Sequence, residues 1–212
     1  MLGWMVLALT VLASGTSDAH VLEVPYRNQL DGSPYALANC GPTALSMALA
    51  YYGLDASPWD LRVKSMRAQH SWVTDEGGYS DRYGVFVYNL ATVIESFGLH
   101  ADGLWARDGY RTDHFHQWQP TELRREIDAD HPVIVQVEYR ALPAHNGSSA
   151  ADDHYIVLHG IKGSDFVYSD PLGINASGPD EEISEAELVR AMGLATAPGA
   201  GFAVVKPRER RA

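Results

Sequence analysis

The chain contains one cysteine, Cys40, which stands directly before Gly41 and Pro42 at the head of the run NCGPTALSMALAYYG. A thiol attacks as its thiolate, and an ordinary cysteine is mostly protonated at neutral pH. A helix N-terminus favours the anion, because its first N–H groups lack intrahelical partners and the macrodipole is positive there. Position alone makes Cys40 a candidate nucleophile. It suits a packed small hydrophobe equally well, since free cysteine is among the most buried residue types. Gly41 would let backbone and substrate approach closely.

A nucleophilic cysteine needs a base, usually histidine, and a third group that holds the ring. The chain offers nine histidines. His154 opens the β-branched run HYIVLHGI, and Asp170 closes the next run, FVYSD. The intervening KGSD reads as a turn, so the two runs form a hairpin. A hairpin brings the start of one strand beside the end of the next, which sets His154 and Asp170 at one end of a sheet. Whether both face the same side is left open. Alternation places His159 on the opposite face from His154, as a satisfied core histidine. Asp152 and Asp153 are alternative orienters of His154, or solvated loop carboxylates. The oxyanion formed on attack needs donors. Gln29, in a polar turn region upstream of Cys40, is a candidate beside the Cys40 N–H; its bland reading is a surface glutamine.

The elements that must position these residues follow from periodicity. VLEVPY reads as a short strand, and Gly32, Ser33 and Pro34 as a turn. A helix starts just before Pro42, whose missing N–H costs nothing in a first turn. Leu45, Leu49 and Tyr52 make its buried stripe with Ala48, and Gly53 stops it. Further helices are predicted over 58–69, over 85–97 and in TELRREIDAD. PVIVQVEYR is a central strand. ISEAELVRAM is a helix with Ser184 and Glu187 at capping-box spacing, and GFAVVKP is a last strand. Helices first and antiparallel strands later is the α+β order. The segment from Leu99 to Pro120 reads as a long loop with one strand. Its Trp105, Tyr110, Phe115 and Trp118 line a cleft or form a core under the loop.

Composition excludes several classes. A net charge of −11 opposes nucleic acid and anionic membrane surfaces as partners. His114 and His116 form a weak metal-pair signal that no cysteine cluster or HExxH supports. No Gly-rich phosphate loop is present, so neither a metal nor another cofactor is expected. Asn146 and Asn175 match glycosylation acceptors, a triplet common by chance. Residues 2–13 are apolar throughout, shorter than the roughly 20 residues that cross a bilayer. They fit the core of a secretory signal or anchor over 1–19, with cleavage near Ala19, or else a buried helix. The expected organisation is thus a leader over 1–19, one domain over 20–207 and a basic tail over 208–212. Export gives a secreted or membrane-anchored protein that meets the membrane only through its N-terminal segment; otherwise the protein is cytoplasmic. In an exported chain a lone thiol is unusual enough to suggest a role.

Three stretches together, VPYRNQLDG…NCGPTALSMALAYYG, ELRREIDADHPVIVQVEYR and DDHYIVLHGIKGSDFVYSDPLG, resemble the bacteriocin-processing, double-glycine-peptidase-like cysteine peptidases. The resemblance covers about 24–173. It implies a papain-like fold in which N-terminal helices present the cysteine and a C-terminal antiparallel sheet presents histidine and aspartate. It implies Cys40 as nucleophile, His154 as general base and acid, Asp170 as its orienter and Gln29 as oxyanion-hole donor, acting on a peptide or protein substrate. Transporter-linked relatives carry a membrane domain and an ATPase. No membrane bundle or phosphate loop is recognisable here, so a stand-alone relative is expected and coupling to export is not implied. The same residues also suit an acyltransferase or transglutaminase-like enzyme, or a catalytically silent peptide-binding module.

Overall fold

In PVIVQVEYR the valines Val133, Val135 and Val137 pack to one side of a strand and Ile134 to the other, and all are buried. Such a strand needs cover on both faces. The computed structural model describes residues 19–33, 35–68, 84–103, 116–150, 152–173 and 177–207. The apolar run 2–13, His114, Trp105, Tyr110, Phe115, Asn175 and the tail 208–212 lie outside the described residues. The strands are β1 (His20–Val21), β2 (His100–Asp102), β3 (Val133–Glu138), β4 (Asp153–Lys162), β5 (Asp165–Ser169), β6 (Glu181–Ile183) and β7 (Gly201–Val205). They form an antiparallel sheet in the order β2-β7-β3-β4-β5-β6, and β1 pairs with β4 near its end. The helices are α1 (Cys40–Tyr51), α2 (Pro58–Ala68), α3 (Val87–Glu95), α4 (Pro120–Asp128) and α5 (Glu185–Gly193).

Alternation sorts the core into two layers. Ile134, Tyr155, Val157, Phe202 and Val204 join α1, α2 and α3. Val133, Val135, Ile156, Leu158 and Ala203 join Leu123 and Ile127 of α4 and Leu188 and Met192 of α5. Helices therefore cover both faces of the sheet. Each fully buried leucine or isoleucine in these layers contributes about 1.5–3 kcal/mol over leaving it exposed.

Helix α1 departs from the expected one-sided stripe. Every residue from Cys40 to Leu49 is buried, because α1 lies against β4, α2 and α3 at once. Gly41 serves this packing. A Cβ there would lie 2.8 Å from Leu90 Cδ1 and 3.2 Å from the Tyr155 ring. Gly53, at φ 75°, follows the helix as expected.

The remaining differences are local. Of VLEVPY only Val21 lies in a strand, although Leu22 N still donates to His159 O of β4 at 2.8 Å. The β4–β5 turn is Gly163-Ser164 rather than all of KGSD, since Lys162 pairs with Asp165. Strand β6, unexpected from its Glu-rich sequence, pairs with β5 from Glu181 to Ile183. Ser184 caps α5 through the reciprocal bonds its spacing implied.

Candidate active site

Cys40 is the first residue of α1 and is 7% exposed. Two buried side chains hold the approach to it. Arg62, reaching across from α2, donates to Ala38 O at 3.0 Å and Asn39 Oδ1 at 3.1 Å, and Asn39 Nδ2 donates to Ser33 Oγ at 3.2 Å. The backbone turning into the helix is thereby fixed, with Cys40 at the end where helical N–H groups lack intrahelical partners.

His154 is the second residue of β4, opposite Val137 of β3. Asp170 directly follows β5, whose Ser169 pairs with Val157 of β4. The hairpin brings the two side chains together: His154 Nε2 donates to Asp170 Oδ1 at 2.7 Å. The Cys40 side chain lies near enough to His154 to act on its imidazole. With Nε2 on the carboxylate, Nδ1 is the ring nitrogen left for the thiol. Cys40, His154 and Asp170 thus come together as one buried group, with His154 and Asp170 directly hydrogen-bonded.

Electrostatics follow from these contacts. Burial alone would lower the basicity of His154. The hydrogen bond to Asp170, the Asp170 charge and the neighbouring Cys40 side chain outweigh it and raise the imidazole to about 10. Burial alone would raise the Asp170 carboxyl. Hydrogen bonds from His145 and His154, the charge of His154 and the Leu172 N–H hold it well below the usual carboxylate range instead.

The Asp170 turn is built locally and stapled from afar. Leu172 N donates to Asp170 Oδ1 at 2.7 Å, an aspartate turn, and Asp170 N donates to Gly178 O at 2.7 Å. Gln29 N donates to Pro171 O at 2.8 Å and Asn28 Nδ2 to Gly173 O at 2.9 Å. The segment before Cys40 therefore grips the turn that carries Asp170.

Gln29 is buried, not a surface residue, at 1% exposure. Its Nε2 donates to Ala36 O at 3.0 Å and Leu37 O at 3.2 Å, in the turn leading to Cys40, while Oε1 is buried without a partner. The rival groups are engaged elsewhere. His159 donates from Nδ1 to Leu22 O at 3.2 Å and accepts from Ser169 Oγ at 3.1 Å, the satisfied core histidine expected. Asp153 Oδ1 accepts from Thr196 N at 2.8 Å, and Asp152 is exposed. His116 bonds Glu122 at 2.9 Å. Among the described residues no group of three or more histidine, cysteine or acidic side chains could hold a metal ion, and no helix is long and apolar enough to cross a membrane.

Sequence reasoning missed two residues. His145, in the β3–β4 connection, donates from Nε2 to Asp170 Oδ2 at 2.6 Å. The Tyr139 ring stacks on His145 at 4.0 Å and meets His154 edge-on at 5.2 Å. A signal was available: once β3 and β4 are read as antiparallel neighbours, their connection must lie at the end of the sheet where His154 sits.

With this geometry in view, comparisons with known proteins agree on a fold. A model of the Peptidase_C39-like family matches residues 21–191. A C39-like peptidase from Bacillus anthracis superposes with a TM-score of 0.59 at 16% identity, over 91% of this chain and 100% of that one. A double glycine motif protease from an AMS/PCAT transporter, solved with its leader peptide, gives 0.52 at 21% identity over 88% and 94%. The peptidase domain of Streptococcus ComA, a bifunctional ABC transporter of a quorum-sensing pathway, gives 0.53 at 18% over 87% and 99%. No curated protein matches significantly. The likeness shows the α+β, papain-like arrangement.

Proposed function

Because the chain belongs to the Peptidase_C39-like family and is a cysteine-type peptidase, we propose that it hydrolyses peptide bonds through Cys40, His154 and Asp170, assisted by Gln29. Cys40 at the start of α1, with His154 beside it and hydrogen-bonded through Nε2 to Asp170, carries this reading. His154 accepts the Cys40 proton on Nδ1, and Asp170 holds the resulting imidazolium through Nε2. The thiolate attacks the substrate carbonyl carbon, and the carbonyl electron pair becomes an oxyanion. The Cys40 N–H and Gln29 Nε2 receive it. Gln29 must exchange one carbonyl contact for the oxyanion, and the longer one, at 3.2 Å to Leu37 O, is the natural choice. His154 then protonates the departing amine, leaving a thioester. Water, activated by the neutral imidazole, hydrolyses it and regenerates the thiol.

The substrate class is a peptide or protein. One structural neighbour was solved in complex with a leader peptide, which supports a peptide as ligand. The apolar run 2–13 supports an exported or anchored enzyme whose peptidase unit spans 20–207. N-terminal sequencing of protein recovered outside the cytoplasm tests this, and an uncleaved chain confined to the cytoplasmic fraction contradicts it.

Replacing Cys40 by serine tests the chemistry. The variant should keep the wild-type circular dichroism spectrum and lose cleavage of a peptide library, whose digestion by the wild type identifies the cleaved bond. Undiminished cleavage by the folded variant would overturn the cysteine mechanism.

A further inference from the structure

We infer that His145 is a positioning residue of this site, fixing the Asp170 carboxylate from its second oxygen so that the first stays on His154. This rests on the triad reading above.

A carboxylate accepts hydrogen bonds and cannot donate them, so the two histidines that reach Asp170 must both present N–H groups from Nε2. Their bonds divide between the oxygens. Oδ1 accepts from His154 at 2.7 Å and from Leu172 N at 2.7 Å. Oδ2 accepts from His145 at 2.6 Å. The torsion that turns a carboxylate about its Cβ–Cγ bond is soft and broadly distributed. Bonds to Oδ1 alone would leave the group free to pivot about that oxygen, with Oδ2 a buried anionic atom lacking a partner. His145 removes both problems.

His145 is itself held in place. It is 8% exposed, its backbone N–H donates to Leu142 O at 3.0 Å, and its ring lies on Tyr139 with an interplanar angle of 20°. Tyr139 also meets His154 edge-on at 80°. One aromatic ring thus registers both imidazoles that grip Asp170. The donor on Oδ2 has a chemical consequence too. A carboxylate with three N–H partners is a weak base, so the proton between Asp170 and His154 remains on Nε2, and the imidazolium keeps its Nδ1 proton for the leaving amine. His145 exchanges no proton with the substrate in this scheme.

Two substitutions separate donation from shape. His145→Phe keeps a ring against Tyr139 and loses the N–H; His145→Gln carries an amide N–H of similar reach. His145→Phe should lower kcat roughly ten- to a hundredfold, the scale of loss known for hydrogen-bond partners that orient ligating side chains in metal sites. KM should not change. The alkaline limb of the kcat/KM profile should move down towards ordinary histidine, because a pivoting carboxylate holds the imidazolium less well. His145→Gln should recover most of kcat and return the limb. Wild-type kcat in His145→Phe overturns the inference. A limb that stays or rises overturns it, as does a folded His145→Gln variant as slow as Asp170→Ala. Should His145→Phe fail to fold, the glutamine variant alone decides between these outcomes. A Cys40→Ser variant that still cleaves would instead strike at the triad, so the two failures are distinguishable.

Discussion

The backbone N–H of Gln29 donates to the Pro171 carbonyl at 2.8 Å, tying the segment that leads to Cys40 to the turn that bears Asp170. Nucleophile and orienter come from opposite halves of the chain, so this strap sets their separation independently of the sheet. Asn28 reinforces it through Gly173 O and caps its own turn by accepting from Leu30 N at 2.8 Å. Asn28→Ala should cost about 1 kcal/mol, which lowers the melting temperature by roughly 2–4 °C for a chain of this size. It should also reduce kcat, because the Asp170 turn loosens. Thermal denaturation and steady-state kinetics check both, and an unchanged kcat would mean that the hairpin alone suffices to place Asp170.

Gln29→Ala should lower kcat roughly a hundredfold, the loss expected for one oxyanion donor, with KM preserved. The same side chain braces the Ala36 and Leu37 carbonyls, so a lower melting temperature should accompany it. A raised KM with unchanged kcat would make Gln29 a substrate contact instead.

Gly41→Ala tests the packing that seats the nucleophile. The added methyl meets Leu90 Cδ1 at 2.8 Å and the Tyr155 ring at 3.2 Å, and overpacking of this kind costs about 1–3 kcal/mol. Leu90→Ala in the same chain makes room for the methyl and should recover part of the activity lost. If Gly41→Ala alone matches the wild type in melting temperature and rate, Leu90 moves aside freely and the close approach has no consequence.

Much of this was legible in the sequence because local physics dominates there. Pro42 and Gly53 punctuate α1, the β-branched runs declare β3, β4 and β5, and the hairpin carries His154 to Asp170. What was illegible depends on more distant neighbours. The stripe on α1 suggested an exposed face, yet β4, α2 and α3 enclose the helix together. Gly41 looked like room for substrate, and its space belongs to Leu90 and Tyr155. Nothing in LPAHNG marks His145 as chemical, since its role arises only when the β3–β4 connection folds over the Asp170 turn. Gln29 looked solvent-facing because its burial requires the 35–38 turn to close over it.

The pH profile has a defined sign. His154 is raised to about 10, so the imidazolium that protonates the leaving amine persists until then, and kcat/KM should fall on the alkaline side near that value. Asp170→Asn removes the charge but keeps an oxygen for His154 Nε2. Some activity should remain, with the alkaline limb moved down; Asp170→Ala should lose much more. Stability follows the same shifts. The contribution of His154 is complete below about pH 6.5 and is lost as pH rises through its folded value. That of Asp170 is present above about pH 3.9 and is lost as pH falls towards its lower folded value. Unfolding of wild type and Asp170→Asn across pH checks this, and parallel curves would contradict it.

The most direct measurement is the rate of Cys40 alkylation by iodoacetamide at neutral pH, which needs no knowledge of the substrate. The thiolate is the reacting species, so a base beside the thiol speeds the reaction. The folded wild type should be labelled at Cys40, replacing His154 should slow labelling markedly, and His159→Ala should leave the rate in place. No labelling of the folded protein, or a rate indifferent to the loss of His154, would make Cys40 a buried structural residue and contradict the proposed mechanism.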